Sequence, residues 1–198
     1  MLKVGITGGI GSGKSYISGI FKQLKVPVFN ADIVASQISR KPEVASDIIS
    51  AFGDDIVVGD MEIDRKKLAG IVFNDPEALK TLNEIIHPKV EQIFTEWLVD
   101  TEHSSPYILK EAAILFESGS HNSLDRTINV YAPLKLRIER TLLRDRHRKL
   151  SEIEQIIMNQ MNEEERARLV DHIIVNDDCT PLLPQVMAID KMLRNEVH

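Results

Sequence analysis

The sequence predicts an α/β fold, a mostly parallel sheet with helices on both faces, and three observations predict it. Short apolar runs with β-branched members recur at Leu2–Thr7, Val28–Phe29, Tyr107–Leu109, Thr127–Tyr131 and His172–Val175, the pattern of buried strands. Between them apolar residues return at helical spacing, and strands alternating with helices build parallel sheets. Five of the ten glycines (Gly5, Gly8, Gly9, Gly11, Gly13) fall within nine positions, where the first strand gives way to the first helix.

Each element has its own signal. Ile17, Ile20, Phe21 and Leu24 mark the first helix, which Pro27 ends before the second strand. From 33 to 103 the period is helical, as in Val44, Ile48, Ile49 and Phe52 and again in Leu68, Ile71 and Val72, so this stretch reads as a block of about four helices. Asp75-Pro76-Glu77 supplies an N-cap, a first-turn proline and an acidic first turn. The helix it opens runs through Leu79, Leu82, Ile85 and Ile86, and His87-Pro88 is expected to close or kink it. The β pattern that returns at Tyr107 is expected to extend through Ile114-Leu115-Phe116. Ser151 with Glu154 resembles a capping box ahead of Ile156, Ile157 and Met161, and Thr180-Pro181 starts the last helix.

Composition bounds the function classes. The 198 residues are 43% hydrophobic and 27% charged, with a net charge of -6, which fits a globular domain and excludes a disordered chain. An acidic balance argues against coating nucleic acid through a basic surface. Cys179 is the only cysteine, so no intrachain disulfide forms and a reducing compartment is expected. No signal-peptide pattern precedes Leu2, and no apolar run approaches the roughly 18 residues of a membrane span, so the expected location is cytoplasmic, with no membrane partner. His87, His103, His121, His147, His172 and His198 are dispersed and do not predict a zinc site. Trp97 and Cys179 are assigned to packing.

Gly8-Gly9-Ile10-Gly11-Ser12-Gly13-Lys14-Ser15 fits G-x-x-x-x-G-K-[ST], a phosphate-binding P-loop, between a predicted strand and a predicted helix. Glycines let successive N–H groups turn inward around a polyphosphate, and the following helix presents its positive end to the same charge. Lys14 is placed to reach the β and γ phosphates, and the Ser15 hydroxyl to ligate Mg²⁺. A chance match in a chain of this length is expected about once in 150 chains. No Asp stands three positions before a glycine and no Asn or Thr precedes a Lys, so the remaining elements of a GTPase switch are missing. A small-molecule kinase becomes the leading class.

Asp32 lies two residues past a short strand, where ligands of open α/β folds gather. Two roles are open to it and can coexist: receiving the proton of an attacking hydroxyl and capping the following helix. Farther on, Lys135 to Lys149 holds seven Lys or Arg against two acids, leaving a charge of -11 for the rest. Arg137, Arg140, Arg144 and Arg148 follow i, i+3, i+7, i+11, one helical face suited to a lid over phosphates. The competing reading is a solvated charged face.

With these motifs in place, the chain resembles the dephospho-coenzyme A kinases over essentially its full length. The segments that carry the resemblance are Gly5 to Ser15, Asn30-Ala31-Asp32, Asn83 with His87-Pro88, Ile114-Leu115-Phe116-Glu117, Arg140 through Arg144-Asp145, Gln160 and Asn176. The resemblance implies a P-loop NTPase-like three-layer fold with a parallel sheet, a helical substrate-binding insertion and a helical lid. In this sequence the nucleotide-binding core would be 1–32 and 104–198, with the lid at about 137–165, and the acceptor-binding insertion 33–103. It implies ATP- and Mg²⁺-dependent phosphorylation of the ribose 3′-hydroxyl of dephospho-coenzyme A, the last step of coenzyme A synthesis. The alternatives are another P-loop small-molecule kinase, acting on a nucleoside or nucleoside monophosphate, or a nucleotide-binding regulator.

Carried over by position, Gly9, Gly11, Ser12, Gly13, Lys14, Ser15, Tyr16 and Asn176 bind nucleotide. Asp32 is the base, Lys14, Arg140 and Arg144 act on the transferring group, and Arg65, His87 and Glu117 bind the acceptor or support its site. For His87 the competing role is a helix-terminal residue, and for Arg65 a surface ion pair. The chain departs from the family pattern at Asn30, Ala113 and Tyr16, where the family commonly has Asp, Pro and Thr.

Overall fold

The computed structural model describes residues 1–59, 62–72, 74–101 and 105–196. His103, His198 and the expected insertion edge at 103 lie outside the described residues. In chain order the elements are β1 (Leu2–Thr7), α1 (Lys14–Gln23), β2 (Val28–Asn30), α2 (Ala31–Ile38), α3 (Pro42–Phe52), β3 (Val57–Val58), β4 (Glu62–Ile63), α4 (Arg65–Val72) and α5 (Pro76–Thr101). There follow β5 (Tyr107–Glu111), β6 (Arg126–Tyr131), α6 (Leu134–Arg144), α7 (Leu150–Met158), α8 (Glu163–Leu169), β7 (His172–Val175) and α9 (Leu182–Asn195). The chain forms two compact units, Met1–Asn30 with Asp100–His198, and Ala31–Val99.

The first unit is a five-stranded sheet in the order β2-β5-β1-β6-β7, parallel at every pairing. Alternate residues of its strands, among them Val4, Ile6, Leu109, Ile128, Val130 and Ile174, pack with Ile17 and Phe21 of α1 and Val186, Ile189 and Leu193 of α9. On the opposite face Gly5 lies against Leu115 and Leu124, and Asn129 of β6 donates to Glu163 of α8 at 2.6 Å. Helices and loops thus cover both faces, which is why the strands read as continuous apolar runs. Placing β1 centrally puts the glycine loop at the carboxyl edge of the sheet, where open α/β folds bind ligands.

In the second unit α3, α4 and α5 pack around a core of Val44, Ile48, Ile56, Leu68 and Val72, and a two-stranded antiparallel ribbon, β3 with β4, is present that the helical period did not reveal. Among the described residues no helix is long and apolar enough to cross a membrane.

Five sequence expectations are corrected. Ile114-Leu115-Phe116 forms turns rather than a strand; Leu115 is fully buried as a plug over Gly5, so its apolar character serves packing without strand pairing. Of the two outcomes expected at His87-Pro88, closure of the helix is contradicted: Pro88 lies inside α5, which continues to Thr101 with Val90 and Phe94 buried beyond it. The capping box of α7 is two residues earlier, where the Glu152 carboxylate accepts the Lys149 backbone N–H at 3.0 Å. α6 ends at Arg144, so Arg148 is off the helix and the four arginines do not share one face. Trp97 stacks on Phe94, but Cys179 is exposed.

Candidate active site

The glycine loop is shaped from outside as much as by its own sequence. Gly13 caps α1 with φ 93°, a left-handed conformation costly for other residues, and an added Cβ there would overlap the Asn176 amide. At Gly9 the obstacle would be the Arg137 guanidinium. Side chains from α6 and from the end of β7 therefore lie directly on the loop backbone. Gly11 also takes a positive φ, 76°.

The Ile10 peptide is held on both sides. Its N–H donates to Gln160 Oε1 at 2.8 Å, and its carbonyl accepts from Arg137 Nε at 3.0 Å. Arg137 is buried and lies 3.5 Å from Glu163. Burial lowers its pKa, Glu163 opposes that, and Arg166 adds to it. Glu163 also accepts from Arg166 at 3.0 Å. Arg166 in turn donates to Met161 O at 2.7 Å, and the Met161 N–H donates to Glu117 Oε1 at 2.7 Å. Glu117 thus fixes the α7–α8 turn that carries Gln160.

Lys14 is buried, its ammonium donating to Gly8 O at 2.7 Å. Ser12 is fully buried, and its carbonyl accepts from Asn176 Nδ2 at 2.7 Å. Asn176 O accepts from Arg140 Nη1 at 3.1 Å, and Arg140 is also ion-paired to Asp178. Arg140, Asn176 and Ser12 thereby form a continuous chain from α6 to the loop. Arg144, more exposed, makes a bidentate pair with Asp145 at 2.9 and 2.8 Å, which raises the arginine pKa and holds the Asp145 carboxyl below its usual value. Tyr16 is 66% exposed, beside the loop serine and outside the core.

Ser15 donates to Glu111 Oε1 at 2.6 Å. Glu111 ends β5 and pairs in register with Ile6 of β1 and Asn30 of β2, so sheet pairing alone brings its carboxylate to the loop. It was missed in the sequence, where the available signal was an acid closing an otherwise apolar strand. A hydroxyl beside a carboxylate at the end of a phosphate loop is a hard oxygen pair suited to Mg²⁺. Among the described residues no group of three His, Cys, Asp or Glu side chains gathers to hold a metal.

In the second unit Asp32 is exposed in the first turn of α2. Arg65, opening α4, donates to Ser36 O at 2.9 Å, Ser36 Oγ at 3.1 Å and Ser39 Oγ at 3.3 Å. His87 is half-buried within α5.

The family described as dephospho-CoA kinase matches residues 2–181. A dephospho-CoA kinase from Bacteroides fragilis is 34% identical over 198 residues, covering 100% of this chain and 95% of the relative. A crystal structure from Thermus thermophilus superposes with a TM-score of 0.83 at 32% identity, covering 100% of this chain and 98% of the other. A dephospho-CoA kinase structure from Campylobacter jejuni gives 0.68 at 27% identity, with 99% and 98% covered.

Proposed function

Because the chain belongs to the dephospho-CoA kinase family, we propose that its two units divide one reaction, the glycine-loop unit holding ATP and the unit Ala31–Val99 holding the acceptor. The protein is a kinase that phosphorylates dephospho-CoA at the expense of ATP, in coenzyme A synthesis. Transfer is to the ribose 3′-hydroxyl, the location is the cytoplasm, and Mg²⁺ is the metal. The observation that carries the reading is the glycine loop with Lys14 buried against it and the Ser15–Glu111 pair at its end.

The roles follow from the positions. Backbone N–H groups of Gly9 to Gly13, with Lys14, bind the triphosphate, and Asn176, held by Arg140, supports the loop from the β7 side. Tyr16 borders the nucleotide site. Ser15 and Glu111 would hold Mg²⁺, which when bound neutralises phosphate charge. Asp32 orients the 3′-hydroxyl and takes its proton as the O–P bond forms and the bond to the leaving ADP breaks. In a loose phosphoryl-transfer transition state proton removal comes late, so a positioned carboxylate suffices. Arg140 and Arg144 supply positive charge from α6. Arg65 and His87 serve the acceptor, while Glu117 acts indirectly through the α7–α8 turn.

The test is ADP release with ATP and Mg²⁺ and a panel of acceptors: dephospho-CoA, nucleosides and nucleoside monophosphates. Strong stimulation by dephospho-CoA is expected. Stimulation by a nucleoside monophosphate alone would contradict the reading.

A further inference from the structure

Among the described residues the largest fully buried side chain is that of Arg166, in α8. A charge taken out of water is costly unless it is paired and hydrogen-bonded, so its partners show what it is there to hold. Arg166 lies 3.0 Å from Glu163 and 3.8 Å from Glu117, and it donates to the Met161 carbonyl at 2.7 Å. Glu163 is shared: it accepts from Asn129 at 2.6 Å and lies 3.5 Å from Arg137. The charges alternate in sign from Arg137 through Glu163 and Arg166 to Glu117.

Both ends of this row reach Ile10. At one end Arg137 donates to the Ile10 carbonyl at 3.0 Å. At the other, Glu117 accepts the Met161 N–H at 2.7 Å while Arg166 holds the Met161 carbonyl, so the backbone of Met161 is fixed on both sides. Gln160, the residue before it, donates its own N–H to Ile157 O at 3.2 Å, and its side-chain oxygen accepts the Ile10 N–H at 2.8 Å. The contacts therefore close into a ring that starts and ends on one residue of the glycine loop.

On a mobile turn a glutamine would have to order the turn as well as itself to make one neutral hydrogen bond, whose net contribution is modest. With the turn fixed by buried charges, only the half-buried Gln160 side chain remains to be ordered. The glycine-rich loop opposite has the most backbone freedom to lose. Contacts that settle it before the ligand arrives lower the cost of binding.

We propose that Gln160 is a positioning residue for ATP and that Arg166 sets it: the α7–α8 turn presents the Gln160 amide to Ile10 and so preshapes the loop for the triphosphate. The proposal rests on the reading of the loop as the ATP site and goes beyond it, since neither residue belongs to the phosphate motif.

Two substitutions and their combination, made in the full chain, test it. Gln160→Leu keeps the size of the side chain and cannot accept the Ile10 N–H. Arg166→Met keeps much of the volume and frees the turn, while Glu163 retains Asn129 and Arg137 and Glu117 retains the Met161 N–H. Gln160→Leu should raise the KM for ATP about fivefold, as loss of one neutral hydrogen bond does, with kcat and the KM for dephospho-CoA unchanged. Arg166→Met should raise the KM for ATP by a similar factor, and in the double variant the two factors should not multiply, because both act on one contact. Hydrogen exchange without nucleotide gives a direct view of the loop: the Ile10 amide should exchange faster in Gln160→Leu than in the wild type. An unchanged KM for ATP in Gln160→Leu, equal Ile10 exchange, or factors that multiply in the double variant overturns the proposal. Should Arg166→Met not fold, the KM for ATP and the Ile10 exchange of Gln160→Leu decide alone. Failure of the wild type to bind ATP would instead overturn the reading of the loop.

Discussion

Replacing Arg137 with Met tests whether the glycine loop is held from outside. Arg137 is 6% exposed and donates to the Ile10 carbonyl at 3.0 Å. Met occupies a similar volume and leaves that carbonyl without its donor. Glu163 is not orphaned, since it still accepts from Asn129 at 2.6 Å and from Arg166 at 3.0 Å. The cost is therefore that of one lost hydrogen bond from a charged donor, about 1.5–3 kcal/mol, which for a chain of this size lowers Tm by roughly 5–9 °C in the middle of that range. Freed on one side, the Ile10 peptide no longer presets the loop, and the KM for ATP should rise about tenfold, equivalent to about 1.4 kcal/mol. The KM for the acceptor should not move. Thermal unfolding and steady-state kinetics measure both effects, and an unchanged Tm together with an unchanged KM for ATP would refute the reasoning.

Asp32→Asn keeps the size of the side chain and removes the base, so kcat should fall about 10²–10⁴-fold while ATP affinity is retained; near-normal turnover would remove Asp32 from the mechanism. Glu111→Gln takes one charge from the Ser15 pair and should raise the Mg²⁺ concentration for half-maximal activity about tenfold, read from a metal titration at saturating ATP; an unchanged titration would separate Glu111 from the metal. Tyr107 is buried and donates to Asp190 at 2.6 Å. Burial first, then the hydrogen bond to that carboxylate, raises its pKa well above 10. A folded-state pKa above the unfolded value gives stability that is present below about pH 10 and is lost as pH rises beyond it. Denaturation curves of the wild type should steepen in their pH dependence there, and Tyr107→Phe should flatten them.

The parts of the site written in local sequence were legible. Gly8 to Ser15 carries its own spacing and flanks, and β1 and α1 follow from them. The position of Asp32 past a short strand, in the first turn of a helix, is likewise local. What stayed hidden depends on distant partners. The charge run at 135–149 announced arginines, yet only the fold shows Arg137 turned into the core toward Ile10 and Glu163. Glu111 looks like any acid ending a strand until parallel pairing with β1 carries it to Ser15. Leu115 reads as a strand residue because burial, not pairing, selects for apolar side chains. Pro88 reads as a helix end or a kink because the packing of Val90 and Phe94, which outweighs its missing N–H, lies farther along the chain.

The most direct test of the central account is the position of the new phosphate after incubation of the protein with ATP, Mg²⁺ and dephospho-CoA, read by phosphorus NMR of the purified product. A single phosphomonoester on the ribose 3′-oxygen, formed by the wild type and lost in Asp32→Asn, is the predicted result. A product phosphorylated elsewhere, or ADP formed with no phosphorylated acceptor, would contradict it.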